Sequence, residues 1–175
     1  MEYKLKRSKR AKAMRLEVSP DGALVVTAPS YFGIRVIEYF LAKHAAWVRR
    51  KMDETKGRTV VHITRRDIPE LKKQALAFAH ERCGYYAELY GVSFRSVTIR
   101  AQKTRWGSCS HKGNLSFNYR IMALPAHLAE YIIVHEMCHL LELNHSGSFW
   151  RHVERCVPGH KRLRKELRSI STIFV

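Results

Sequence analysis

The run Ile132-Ile133-Val134-His135-Glu136-Met137-Cys138-His139-Leu140-Leu141 constrains this chain more than any other stretch. At about 100° per residue its apolar side chains cover almost the whole circumference of a helix, so a buried helix is expected, read from Pro125 to Asn144. Histidines four apart stand one turn apart on the same side, which lets His135 and His139 reach a single point in space. Two imidazoles and a carboxylate on one buried helix are costly to desolvate without a partner, and a metal ion is the economical partner. Glu136 lies close enough to hydrogen-bond a water held by that ion, which is where a general base must stand.

A third ligand is expected just downstream. Asn144 can take the left-handed conformation that ends a helix and turn the chain back, which makes His145 the preferred third donor. Three protein ligands with a water in the fourth position is the arrangement of a catalytic zinc. Glu154 is the rival, on a short helix expected from a Ser148 cap to Cys156 and ended by Pro158-Gly159. Glu142, near the same helical face as His135, is a candidate acceptor for a ligand imidazole. Arg151 and His152 are candidates to steady a developing oxyanion.

Arg105-Trp106-Gly107-Ser108-Cys109-Ser110, Gly113-Asn114-Leu115-Ser116, Val134 to Leu140, and Asn144-His145-Ser146 through Phe149-Trp150 together resemble the YgjP-like metallopeptidase domain family, related to the SprT-like and WLM zinc proteins. The basic start from Arg7 to Val26 and the helix ending Trp47-Val48-Arg49-Arg50 extend the likeness over most of the chain. The resemblance implies a zincin-like core, zinc bound by His135, His139 and His145, and Glu136 as the catalytic glutamate. It also implies that the strand before the motif helix is an exposed edge to which a peptide adds, and Leu115, Phe117 and Tyr119 lie on the matching stretch. It does not name a substrate.

Bulk properties set the remaining bounds. The 175 residues, 46% of them hydrophobic, suffice for one well-cored domain with a small N-terminal piece. No apolar run nears the ~18 residues of a membrane span, and Met1-Glu2-Tyr3-Lys4 begins no signal peptide, so a cytoplasmic protein without a membrane partner is expected. Cys83, Cys109, Cys138 and Cys156 form no Cys-x-x-Cys pair and read as reduced thiols. The formal charge of +17, from 32 basic and 15 acidic residues, favours polyanionic partners. Basic clusters at Lys4 to Arg15, Arg49 to Lys51 and Lys161 to Arg168 are read either as a solvated surface or as a nucleic-acid footprint, with no named nucleic-acid module present.

Along the chain, Leu16-Glu17-Val18 and Ala23 to Thr27 flank Ser19-Pro20-Asp21-Gly22, where proline presets one dihedral and glycine accepts a positive one, so a hairpin is expected. Ile34, Ile37, Leu41, His44 and Val48 recur at helical spacing and predict one helix to about Asp53, with His44 a satisfied core histidine. A second long helix is expected from an Asp67 cap, with Pro69 in its first turn and Gly91 past its end. Val97-Thr98-Ile99 and Leu115 to Tyr119 read as strands around a polar loop from Lys103 to Gly113, in which Trp106-Gly107 marks either a cleft wall or tight packing.

The combined expectation is an α+β protein: an N-terminal hairpin-plus-helix subdomain over residues 1–56 and a zincin-like catalytic domain over 57–175, with helices on a short sheet. The expected function is zinc-dependent hydrolysis of peptide bonds in a peptide or protein substrate, with Glu136 as base. Two alternatives stand beside it: a nucleotide or phosphoester hydrolase, which calls for a closed, arginine-lined pocket, and a protease associated with nucleic acid through its basic surface.

Overall fold

The computed structural model describes residues 2–102 and 104–174; Lys103, the first residue of the expected polar loop, lies outside them. The chain divides into two compact units, Met1–Val60 and Val61–Val175.

In the first unit β1 (Lys4–Ser8), β2 (Arg15–Val18) and β3 (Leu24–Pro29) form a sheet in the order β1-β3-β2. The hairpin is closed by the Ser19 amide donating to the Ala23 carbonyl at 2.9 Å and the Gly22 amide to the Ser19 carbonyl at 2.8 Å. β3 also pairs in parallel with β1, so it is the central strand and the most buried of the three. Its Val26 and Ala28 pack with Ile37 into a small core.

The expected single helix from Ile34 is two, α1 (Ile34–Lys43) and α2 (Ala45–Thr55). The break falls at His44. Its Nδ1 lies 2.8 Å from the Phe40 carbonyl, to which its own amide also donates at 3.2 Å. The ring thus shares the i−4 carbonyl with the backbone, and the amide also turns to the Leu41 carbonyl at 3.2 Å, where the first helix ends.

β4 (Thr59–Ile63) leads into the second unit and α3 (Ile68–Tyr90). Asp67 precedes α3 as expected, but its carboxylate accepts from the Thr64 amide and hydroxyl and not from the helix. Left-handed Gly91 ends the helix. β5 (Ser96–Arg100), β6 (Gly107–Cys109) and β7 (Asn114–Asn118) form a sheet ordered β5-β7-β6, parallel between β5 and β7 and antiparallel between β6 and β7. A 3-10 turn (Tyr119–Ala123) leads to α4 (Ala126–Cys138), followed by α5 (Gly147–Cys156), α6 (His160–Ser169) and β8 (Ile170–Phe174), which pairs with β4. This is a mixed helix and small-sheet architecture. Its core gathers Ala79 and Cys83 of α3, Leu115 and Phe117 of β7, and Ile133 and Met137 of α4, all buried.

Two corrections follow. The motif helix ends at Cys138 instead of Asn144: the amides of His139, Leu140 and Leu141 donate three residues back, tightening the end into successive turns. No described residue other than glycine has a positive φ, so these turns, and not a left-handed Asn144, redirect the chain. Leu115, Phe117 and Tyr119 do not lie on an exposed edge. β7 is flanked on both sides, and the three side chains are 0%, 0% and 2% exposed. The polar loop supplies β6, which takes the β7 edge opposite Leu115 to Phe117 and whose Gly-Ser-Cys sequence carries neither alternation nor strand-forming residues.

Candidate metal centre and cleft

The last turn of α4 presents His135, and His139 caps it. His145 reaches them from the connection to α5, so that one ring nitrogen from each residue lies within 4.8 Å of the other two. Nε2 of His135 and Nε2 of His145 are 3.0 Å apart. Nδ1 of His139 lies 3.0 Å from the carbonyl oxygen of Glu142 and donates to it, which leaves the Nε2 lone pair of His139 free. The expected acceptor on Glu142 is therefore its backbone carbonyl and not its carboxylate. Nδ1 of His135 is buried with no hydrogen-bond partner among the described residues. Burial first, then the neighbouring His139, His145 and Arg164, pushes His135 down to about 3, and burial with His139 and Arg164 lowers His145 as well. These two imidazoles are held neutral, as metal donors must be.

One aromatic ring underlies all three. Phe149, fully buried on α5, lies 5.0, 4.5 and 4.8 Å in ring-centroid distance from His135, His139 and His145. Its placement follows from the start of α5, where Ser146, and not Ser148, is the cap, its hydroxyl accepting from the Phe149 amide at 3.3 Å. Trp150 stacks on His145 at 5.6 Å and on His160 at 4.8 Å. Glu154 is engaged elsewhere, with Oε2 2.6 Å from Nδ1 of His160 and Oε1 accepting from the Gly159 amide.

Glu136 faces β6. It is 7% exposed, and burial pushes its carboxyl up to about 8 against the opposing pull of Arg105. A Cβ on Gly107 would lie 2.6 Å from Cγ and 2.8 Å from Oε1 of Glu136, so only glycine lets the strand backbone come this close. The segment before Gly107 is tied to the sheet by buried Asn118. The Asn118 side-chain amide donates to the carbonyls of Gln102 (2.6 Å) and Arg105 (3.0 Å), and its backbone amide donates to that of Trp106 (2.8 Å). Arg120 lies over the Trp106 ring at 5.2 Å. Sequence reasoning missed Asn118 and Arg120; an asparagine on the buried face of a strand was the available signal.

His135, Glu136 and His145 open onto a cleft of about 580 Å³ that Trp106 and Gly107 also line. Arg105, Arg164 and Arg168 complete its rim, whereas Arg151 and His152 do not reach it. Arg151 instead donates to the Ser148 hydroxyl at 2.7 Å.

The model of the YgjP-like metallopeptidase domain matches residues 64–170. This chain belongs to that family. The match makes it a metal-dependent hydrolase and implies a metal cofactor for a chain whose clustered imidazoles can hold one. Among solved structures, this YgjP-like chain is similar to the metallopeptidase zymogen of Pyrococcus abyssi abylysin, at 27% identity over 52% of this chain and 92% of that one, with a TM-score of 0.48. It is also similar to the metallopeptidase zymogen of Methanocaldococcus jannaschii jannalysin, at 22% identity over 58% and 92%, with a TM-score of 0.38. Comparison with curated proteins gives no match. Among the described residues no helix is long and apolar enough to cross a membrane.

The opposed shifts of His135 and Glu136 give the metal-free YgjP-like protein a pH signature. Between about 3 and 6.5 the unfolded state protonates His135 and the native state does not, so stability rises with pH. Between 4.5 and about 8 the native state keeps a proton on Glu136 that the unfolded state has released, so stability falls with pH. The two slopes oppose each other where they overlap, and the lowered His145 adds to the rise below 6.5. The Tm of metal-free protein is therefore expected to peak near about 6.5 and decline towards 8. Thermal denaturation across this range tests it. Glu136→Gln should remove the decline, and a decline that persists in that variant has another source.

Proposed function

We propose that this chain is a zinc peptidase in which His135, His139 and His145 hold the metal and Glu136 is the general base. The convergence of three ring nitrogens carries the reading: a donor set of imidazoles alone suits zinc, and three protein donors leave a position open for chemistry. Bound zinc supplies a Lewis acid and brings the pKa of a water towards neutrality. Glu136, on the floor of the cleft, takes the proton of the attacking water and passes it to the leaving amine. Phe149 keeps bulk water from beneath the imidazoles, and the Glu142 carbonyl orients His139. β6 is the sheet edge beside Glu136, so an extended peptide adds there, and not along β7.

The test is metal content joined to peptidase activity. Zinc affinity, read by competition with a mild chelator, is expected to fall in His145→Ala by at least about the 10- to 100-fold that loss of an outer partner costs, and zinc to stay in Glu154→Ala. Retention of zinc by His145→Ala with loss from Glu154→Ala would overturn the ligand assignment.

One observation favours a second reading. Three arginines on the cleft rim are what a phosphoester hydrolase would use to hold phosphate. Release of phosphate from a generic phosphoester by the zinc-loaded protein, with no cleavage of any peptide, would select it.

A further inference from the structure

We propose that the cleft selects peptides carrying a carboxylate next to the bond to be cut, and that Arg105, Arg164 and Arg168 read it. This rests on the peptidase reading of the same site. Arg164 and Arg168 are four apart on α6, hence one turn apart on one face, and both line the cleft. Arg105 enters from the other wall, just ahead of β6. Against three guanidinium groups the lining offers a single carboxylate, Glu136, which is buried on the floor.

Acidic residues near α6 are already engaged. Glu154 meets His160 at 2.6 Å and Glu166 meets His127 at 2.8 Å. Among the described residues none of the three arginines forms an ion pair. Arg164 is also held in place, its guanidinium carbon 5.1 Å from the centroid of the Trp150 ring that stacks on His145. A guanidinium lying over an aromatic ring is pre-organised, and its N–H fork remains able to take a carboxylate in two parallel hydrogen bonds. The cleft thus sets one ring-held cation, Arg164, one aromatic ring away from the clustered imidazoles, with Arg168 a turn along the same helix. A substrate carboxylate there completes both the charge and the hydrogen bonding of the rim.

The experiment uses matched peptides. Each pair differs only at a residue flanking the cut bond, Glu against Gln or Asp against Asn, and a further pair has a free or an amidated C-terminus near that bond. With zinc-loaded protein, kcat/KM is expected to favour the acid over its amide by at least about tenfold, the lower end for a charge-assisted hydrogen bond. The pair that shows the preference tells a side-chain carboxylate from a terminal one. Arg164→Gln and Arg168→Gln, both at exposed positions, should each shrink the ratio, and together bring it within about twofold of unity. Arg162→Gln removes the same charge from the same helix outside the cleft and should leave the ratio as it was.

Binding of the labelled peptides to the Glu136→Gln protein, read by anisotropy, should give the same ranking. That ranking without any hydrolysis by the native protein would sink the peptidase reading and keep the carboxylate selection. Equal kcat/KM and equal binding for acid and amide overturn the selection itself. So does tighter binding of an oligonucleotide than of the acidic peptide at one ionic strength, if Arg164→Gln abolishes it.

Discussion

Glu136→Gln is expected to lower peptide hydrolysis by about 10²- to 10⁴-fold, the range for losing a positioned general base, while zinc stays bound. The substitution keeps the volume of a side chain that is 7% exposed and leaves His135, His139 and His145 untouched. Loss of activity with retained metal separates proton transfer from metal binding, which no histidine variant can do. Burial already holds the Glu136 carboxyl near 8, so replacing it by a neutral amide changes little in the metal-free core. Folding is expected to survive. Kinetics and metal content measured on one preparation decide the matter: native rates in the zinc-loaded variant would mean that Glu136 is not the base.

Gly107→Ala is expected to cost about 100-fold in kcat/KM through geometry alone, the scale set by an ångström's misplacement of a reacting group. The new methyl would lie 2.6 Å from Cγ of Glu136. Neither side yields easily. Gly107 belongs to a strand paired antiparallel with β7, and the segment ahead of it is tied to Asn118. Glu136 in turn sits on a helix buried on nearly every face. The strain should also lower stability by about 1–3 kcal/mol, as overpacking does. Because Gly107 acts through Glu136, the two changes should not add: Gly107→Ala in a Glu136→Gln background should reduce activity little further. Fully additive losses would show that Gly107 serves some other part of the site.

The helix carrying His135, Glu136 and His139 was legible in the residues because its information is local. Spacing of four puts two imidazoles on one side, and apolar neighbours all round require burial, whatever packs against them. The ends of α3 were legible for the same reason, since Pro69 and Gly91 act on their own dihedrals. His145 was within reach as the next imidazole along the chain. Elsewhere local patterns misled. Helical periodicity from Ile34 to Val48 could not register that the His44 ring would share the Phe40 carbonyl where one helix ends and the next begins. Alternation at Leu115, Phe117 and Tyr119 marked a strand with a buried face, but the number of its neighbours depends on pairing partners that alternation does not encode.

Only the tertiary structure decided that the three residues of β6 form the edge beside the site and that Gly107 meets Glu136 across 29 positions of sequence. The same holds for Phe149 beneath all three imidazoles and for the arginines of α6 on the cleft rim. Each depends on what lies opposite a side chain. A periodic sequence states which face of an element turns inward, but the surface that meets it is fixed only when distant segments pack together and each atom's room is set by the others.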